Sequence, residues 1–495
     1  MYRPPLTQPP LHILPKLNQN TYKMSQNLIA AIEIGSQQIS AIIGRKEPDG
    51  AINVIAAEQE ASAKFVQRGR VFNPDLMTQC LRTLITKLEN TAHKSVNQVY
   101  VGVGGIGLRT VSNPVTRNYG EPTKITQEII DSILDENLSL NIPEYSILDV
   151  LPLEYKLDTQ SLNDPVGVMS NKVVGNFLDI IIPKRSQEQL HTSFQAAKLP
   201  IVETVVTPMR LANVTLTDAE RLSGCCFLDM GAQSTTISIY EGKLLRFLAV
   251  LPLGGDNVTR DLMNTLSIEE QEAEDIKRRY GQAFIDANDS NTAHDNIRLQ
   301  DGRSISYDEV QDIIEARMSE IIQNVAYLIK TEANFSPDRL IGGLIVTGGA
   351  SNMSAVDKAL IEYTHIRKIR FVKNVPLSVR HSKIQNFNID GTYNSVLAIV
   401  ESATAECCSD ERKDPDIFTE PQGPTPEEQA AAEAERLKQE EEERLKAEQA
   451  AAAAAAAAEK RKAHINGFKR WIKKASQSIE DIFTEKDEDE EFDKE

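Results

Sequence analysis

Over residues 28–405 the apolar positions fall into short runs separated by glycine and polar turns. The first run, Ile29-Ala30-Ala31-Ile32, leads into Glu33-Ile34-Gly35-Ser36-Gln37-Gln38 and re-enters an apolar stretch at 39–43. The same order returns at Cys225-Cys226-Phe227-Leu228, followed by Asp229-Met230-Gly231-Ala232-Gln233-Ser234-Thr235-Thr236 and an apolar stretch at 237–240. Both read as strand–turn–strand hairpins, and their likeness predicts two similar half-molecules. Around the first, a strand is expected at 52–60. A helix should start at Asn73-Pro74 and run through Leu76, Cys80, Leu84 and Leu88, and a buried strand should end in glycines at 99–104. Strand, strand, strand, helix, strand is the order of a mixed α/β half. Residues 108–184 have a different texture, predicting a small α+β insertion with a helix at 126–138 and strands at 145–156 and 173–182. A helix at 187–197 returns the chain to the main body. The second half continues with helices at 258–266 and 267–280 and a longer one at 313–335. A buried strand, Leu344-Ile345-Val346, runs into Thr347-Gly348-Gly349-Ala350-Ser351, and a closing helix is expected at 394–405.

Beyond residue 409 the pattern breaks. A polar, proline-containing stretch leads to an Ala/Glu/Lys/Arg-rich segment at 427–459 with an unbroken alanine run and no apolar seam, which reads as a solvated helix or loosely helical spacer. At 464–483 the apolar residues Ile465, Phe468, Ile472, Ala475, Ile479 and Ile482 return at helical spacing, broadened by Trp471 and Phe483. Lys469, Arg470, Lys473 and Lys474 fill the other face, and no acid interrupts residues 460–478. Such a helix suits a membrane interface, with Trp471 and Phe468 buried and the basic residues at anionic headgroups. A helix docked on its own body or on a partner is the competing reading. The strongly acidic residues 485–495 follow.

Composition narrows the picture. At 495 residues the chain exceeds one small core. Its 41% hydrophobic and 25% charged residues read as globular, and no run is long and apolar enough to cross a bilayer. A formal net charge of −18 weighs against general nucleic-acid binding. The five cysteines include the adjacent pairs Cys225/Cys226 and Cys407/Cys408, a spacing that suits neither a metal site nor a disulfide framework and fits a reducing cytosol. The Pro-rich residues 1–23 lack the apolar core of an export signal and are expected to be disordered, and Met24 is a candidate start.

The repeated turns suggest chemistry. A phosphate chain needs close backbone N–H donors, which favours Gly35 and Gly231, with Ser36, Gln37, Ser234, Thr235 and Thr236 adding polar side chains. Asp229 is a candidate to hold Mg²⁺ through water or to orient an attacking water, with Glu33 in the equivalent place of the first hairpin. Gly254, Gly255, Gly348, Gly349 and Ala350 complete the glycine-rich rim. Glu274 and Lys277, three apart on a helix, share one face, where they suit a ribose and a base or a solvated ion pair.

These hairpins, the Gly-Gly-Ala-Ser turn and the Ala273-Glu274-Asp275-Ile276-Lys277 stretch resemble the actin/Hsp70/sugar-kinase superfamily. Asp164-Pro165-Val166-Gly167-Val168-Met169 and Leu253-Gly254-Gly255-Asp256-Asn257-Val258-Thr259-Arg260-Asp261 resemble motifs of its bacterial cell-division branch, the FtsA family. The resemblance implies an α/β, actin-like two-domain fold around an ATP·Mg²⁺ cleft. Its subdomains would be 1A (28–107, with return helices at 187–223), 1C (108–186, an SHS2-like insertion), 2A (224–260 and 331–405) and 2B (261–330). A linker (406–459), a membrane-targeting helix (460–484) and an acidic tail (485–495) would follow. It further implies at most a slow ATPase and self-association into polymers on the cytoplasmic face of the inner membrane at the septum. The C-terminal peptide of the tubulin-like GTPase FtsZ would bind on 2B, and other division proteins would contact 1C. The sequence departs from the superfamily at Glu33, where Asp is usual, and from the family at Gln233, where Gly is frequent. The alternatives are a pilus-assembly relative, a small-molecule kinase, for which no sugar-binding constellation is visible, and a chaperone ATPase, for which the spacer stands where a peptide-binding domain would be.

Overall fold

A computed structural model describes residues 27–285, 296–381, 384 and 387–410. The expected linker from residue 411 on, the membrane-targeting helix and the acidic tail, and the N-terminal extension before residue 27, lie outside these residues. The first hairpin pairs Ile29–Ile34 with Gln38–Lys46, and the second pairs Cys225–Met230 with Thr235–Glu241. Both have the same register, with four turn residues between Ile34 and Ile39 and between Met230 and Thr235. Each first strand has a parallel neighbour on its other side, Val99–Val103 for Ile29–Ile34 and Gly343–Thr347 for Cys225–Met230.

The first half is a six-stranded sheet in the order Ile201–Val206, Val99–Val103, Ile29–Ile34, Gln38–Lys46, Ile52–Ala61, Val379–His381. The helix Pro74–Ala92 covers it, and Asn73 caps that helix by accepting the Leu76 N–H at 3.1 Å. Its buried stripe is Met77, Leu81, Leu84 and Leu88, one residue round the helix from the expected Leu76 and Cys80 at its start. In the second half, Tyr307–Tyr327 buries Ile314, Met318, Ile321, Ile322 and Val325 and continues into a π-helical turn at Leu328–Glu332. Strand Cys225–Met230 is buried on both faces, which is why it reads as a continuous apolar run. Cys225 and Phe227 join the first core, whereas Cys226, Leu228 and Met230 join the second.

The insertion is built on the long strands Arg109–Lys124 and Met169–Pro183, with Tyr145–Lys156 beside them and the helix Gln127–Leu138 packed through Ile130 and Ile133 over Val173 and Phe177. By chain it interrupts the first half. By hydrogen bonds it extends the sheet of the second. Arg109 bridges Ala249, and the Thr110 hydroxyl both accepts the Leu248 N–H (2.9 Å) and donates to the Leu248 carbonyl (3.3 Å).

Two boundaries need correction. Residues 379–402 do not stay in the second half. Val379–His381 joins the first sheet beside Ile52–Ala61, and the closing helix Asn394–Ser402 buries Val396, Leu397 and Ile399 in the first core. The linker also begins later than residue 406. Cys407 and Cys408 are buried, the Cys407 N–H donates to the Leu28 carbonyl (2.7 Å), and Cys408–Ser409 pairs with Ser95–Val96. Two apolar thiols beside polar Glu406 and Ser409 gave no alternation from which to see that short strand.

Candidate functional site

Each hairpin turn is closed by its own glycine. The Gly35 N–H donates to the Gln38 carbonyl (3.1 Å) and the Gly231 N–H to the Ser234 carbonyl (2.9 Å). In the first turn, the Ser62 hydroxyl holds the Gly35 carbonyl (2.7 Å) and the Ser36 hydroxyl accepts the Gly69 N–H (2.8 Å). In the second, the helix Gly255–Leu266 spends its first N–H groups on the turn, Gly255 on the Gly231 carbonyl (3.0 Å) and Asp256 on the Ala232 carbonyl (2.7 Å). That helix end therefore fixes the turn instead of offering those donors to a ligand.

Register decides which side chains share a face. Glu33 stands opposite Ser40 and beside Gly102, and Asp229 stands opposite Thr236 and beside Thr347. Thr235 lies on the other face, fully buried, with its hydroxyl on the Leu253 carbonyl (2.8 Å). It supports the turn's approach to Gly254 and does not line the carboxylate face with Thr236.

The glycines converge. A methyl on Gly255 would lie 3.4 Å from Ala350 Cβ, 3.7 Å from Lys277 Nζ and 3.9 Å from the Gly231 carbonyl oxygen. One on Gly254 would strike the Ala232 and Gly231 carbonyls at 2.5 and 2.6 Å. Gly348 has φ +93°, and a methyl there would meet the Met230 carbonyl at 2.4 Å and Asp229 Oδ1 at 2.5 Å. Gly349 faces open space, with nothing within 4 Å of its missing Cβ. Next to this rim, Lys277 Nζ contacts Glu274 Oε2 (2.5 Å), the Thr259 hydroxyl (2.8 Å) and the Gly255 carbonyl (3.2 Å). Thr259 in turn donates to Glu274 Oε2 (2.7 Å), and Arg278 holds Oε1 (2.8 Å). Burial opposes the Glu274 charge, but Lys277, Thr259 and Arg278 more than offset it, and its carboxyl sits below the usual range. Thr259 stood in the motif run after Gly254-Gly255 but was given no site role from the sequence. Its signal is its position four residues after Gly255, on the face toward the Glu274/Lys277 pair.

The two predicted acids face each other from opposite halves. Burial raises Asp229 to about 6. Burial, and then the charge of Asp229, raises Glu33 to about 8. Both carboxyls are thus held above the usual range, and burial opposes a second full charge on the pair. The sign for stability follows. A carboxyl whose folded value lies above its ordinary 4.5 stabilises the fold at low pH and loses that contribution as pH rises toward about 8. In nucleotide-free protein, Glu33→Gln is expected to raise the thermal midpoint at pH 8 by roughly 3–6 °C and to change it little at pH 5. Scanning fluorimetry across that range checks this, and parallel wild-type and variant profiles would refute it.

Among the described residues no cluster of three or more His, Cys, Asp or Glu is arranged to hold a metal, and no helix is long and apolar enough to cross a membrane. Two like halves, each presenting a glycine-closed hairpin and a carboxylate to a shared cleft, with an α+β insertion, make an actin-like fold. The PilM–PilN type IV pilus biogenesis complex shares that fold, with a TM-score of 0.52 at 15% identity over 76% of this chain and 98% of the other. A sequence model for "Cell division protein FtsA" matches residues 226–397, and one for the "SHS2 domain inserted in FTSA" matches 105–180. The cell division protein FtsA of Porphyromonas gingivalis is 29% identical over 398 residues, covering 77% of this chain and 79% of the relative. That of Neisseria meningitidis serogroup B is 27% identical over 340 residues, 68% and 81% of the two chains. The chain belongs to the FtsA family of actin-like cell-division proteins.

Proposed function

We propose that this chain binds ATP with Mg²⁺ between its hairpins and works as a nucleotide-set, membrane-bound polymer that anchors the FtsZ ring and helps recruit septal wall-synthesis proteins. The observation that carries the nucleotide reading is that the buried carboxyls Glu33 and Asp229, one from each half, act on each other beside a glycine rim, where Gly348 packs so tightly against Met230 and Asp229 that no side chain fits. The Gly35 and Gly231 N–H groups close their own turns and are not offered to a ligand, so polar side chains of the turns would supply the donors. Gly35, Ser36, Gln37, Gly231, Ser234 and Thr236 border the phosphate track, Gly348, Gly349 and Ala350 the far wall, and Glu274 and Lys277 the nucleoside end. Mg²⁺, once bound, supplies positive charge to the phosphates. Asp229 would hold it through water, and Glu33, whose charge burial and Asp229 oppose, would add little second charge. A Glu33 that stays protonated would be a poor base for an attacking water, an arrangement that suits binding over rapid hydrolysis. Nucleotide held by both halves couples them, which suits an assembly switch.

The insertion offers surface for neighbouring copies and other division proteins, and the basic amphipathic segment at 464–483 supplies the peripheral hold on the cytoplasmic side of the membrane. A fluorescent fusion is expected to form a midcell band in dividing cells. Diffuse signal or polar foci would overturn the division role and favour the pilus-assembly alternative.

A further inference from the structure

The turn tips carry matching glutamines, Gln37 and Gln233, at the third residue of each four-residue turn. Each reaches into the opposite half. Gln233 Oε1 accepts the Arg68 N–H at 2.9 Å, and Gln37 Nε2 donates to Asp256 Oδ1 at 3.4 Å. Their targets are also matched, since each lies after the third strand of its half, Arg68 in the loop before helix Pro74–Ala92 and Asp256 at the start of helix Gly255–Leu266. The Arg68 loop is built to present that N–H. Arg68 has φ +51°, a left-handed conformation that non-glycine residues rarely adopt. Its carbonyl is held by the Ile106 N–H (2.9 Å), the next N–H, of Gly69, is held by Ser36, and a methyl on Gly69 would strike Gly105 Cα at 2.5 Å. A loop pinned on three sides cannot follow Gln233 if the second half moves away. Asp256 is equally fixed, because its own N–H is bound to the Ala232 carbonyl in the turn that bears Gln233.

We propose that Gln37 and Gln233 are positioning residues forming a reciprocal clasp, each turn tip latching the half opposite its own and so setting how far the cleft opens and how fast nucleotide leaves. The second part rests on the nucleotide reading above, whereas the first does not. The two contacts run in opposite chemical directions, an acceptor at Gln233 and a donor at Gln37, and this separates a clasp from simple filling of space. Gln233→Glu keeps an acceptor for the Arg68 N–H. Gln37→Glu replaces a donor with a carboxylate facing Asp256.

The test measures the distance between spin labels at exposed Lys64 and Glu270 in the full chain, with Cys80→Ser, without nucleotide and in parallel with release of a fluorescent ATP analogue. Gln37→Ala/Gln233→Ala is expected to lengthen and broaden the distance distribution and to speed analogue release about tenfold, the scale of two modest hydrogen bonds. Gln233→Glu should keep the wild-type distance, and Gln37→Glu should open it. An unchanged distance in the double variant, or equal behaviour of the two Glu variants, overturns the clasp. A wild-type chain that does not bind the analogue overturns the nucleotide reading instead, and the labels still decide the clasp.

Discussion

Gly348→Ala is expected to abolish measurable nucleotide binding, a loss of at least about 100-fold, while Gly349→Ala leaves the fold intact. The two glycines are neighbours, yet their surroundings are opposite. At Gly348 a methyl must sit 2.4 Å from the Met230 carbonyl and 2.5 Å from Asp229 Oδ1, on a backbone at φ +93°. A backbone carbonyl cannot swing aside as a flexible side chain can, so either the strand end at Met230 shifts or the Thr347–Gly348 turn unwinds. Both displace Asp229, and clash plus left-handed strain costs on the order of 3 kcal/mol. At Gly349 the missing Cβ meets nothing within 4 Å, so alanine adds no strain to the free protein. Any affinity lost by Gly349→Ala therefore reports a ligand against that surface. Thermal midpoint and titration with a fluorescent ATP analogue separate the cases. Full affinity in Gly348→Ala would refute the placement of the cleft.

Replacing Trp471 and Phe468 with Glu is expected to abolish flotation with anionic liposomes. Each substitution removes the burial of a large aromatic, worth about 2–3 kcal/mol, and adds a charge that the interface disfavours. Together they lower partitioning by more than about 100-fold. Lys469, Arg470, Lys473 and Lys474 add roughly 1 kcal/mol each near an anionic surface, so wild-type flotation should weaken in neutral vesicles and in high salt. Unchanged flotation of the double variant would sink the membrane assignment of this segment.

The hairpins were legible because each signal is local. A strand, a carboxylate and a glycine within a few residues specify a turn without reference to the rest of the chain, and repetition excluded coincidence. The Glu274/Lys277 pair was legible as one helical face, but Thr259, which binds both, was not, since threonine on a helix is unremarkable until the neighbouring helix is in place. Gln233 read as a departure from a glycine turn. Its contact with Arg68 joins residues far apart in sequence and exists only when the halves meet. Strand Arg109–Lys124 carries mostly exposed polar residues, so period-two alternation never emerged and it passed as texture. The return of Val379–His381 and Asn394–Ser402 to the first half was hidden for a different reason. An apolar helix announces that it is buried, not which core it enters; the packing of Val396, Leu397 and Ile399, the last against Gly102, shows which.

The pairing of Cys408–Ser409 with Ser95–Val96, beside the Cys407–Leu28 hydrogen bond, also has a mechanical meaning. A pull transmitted along the tail enters through this small ladder, at the place where residue 28 also enters the fold. The first contacts it meets, Ser95–Val96 and Leu28, all belong to the first half. A pull on whatever follows residue 410 would therefore act first on the short Cys408–Ser409 pairing.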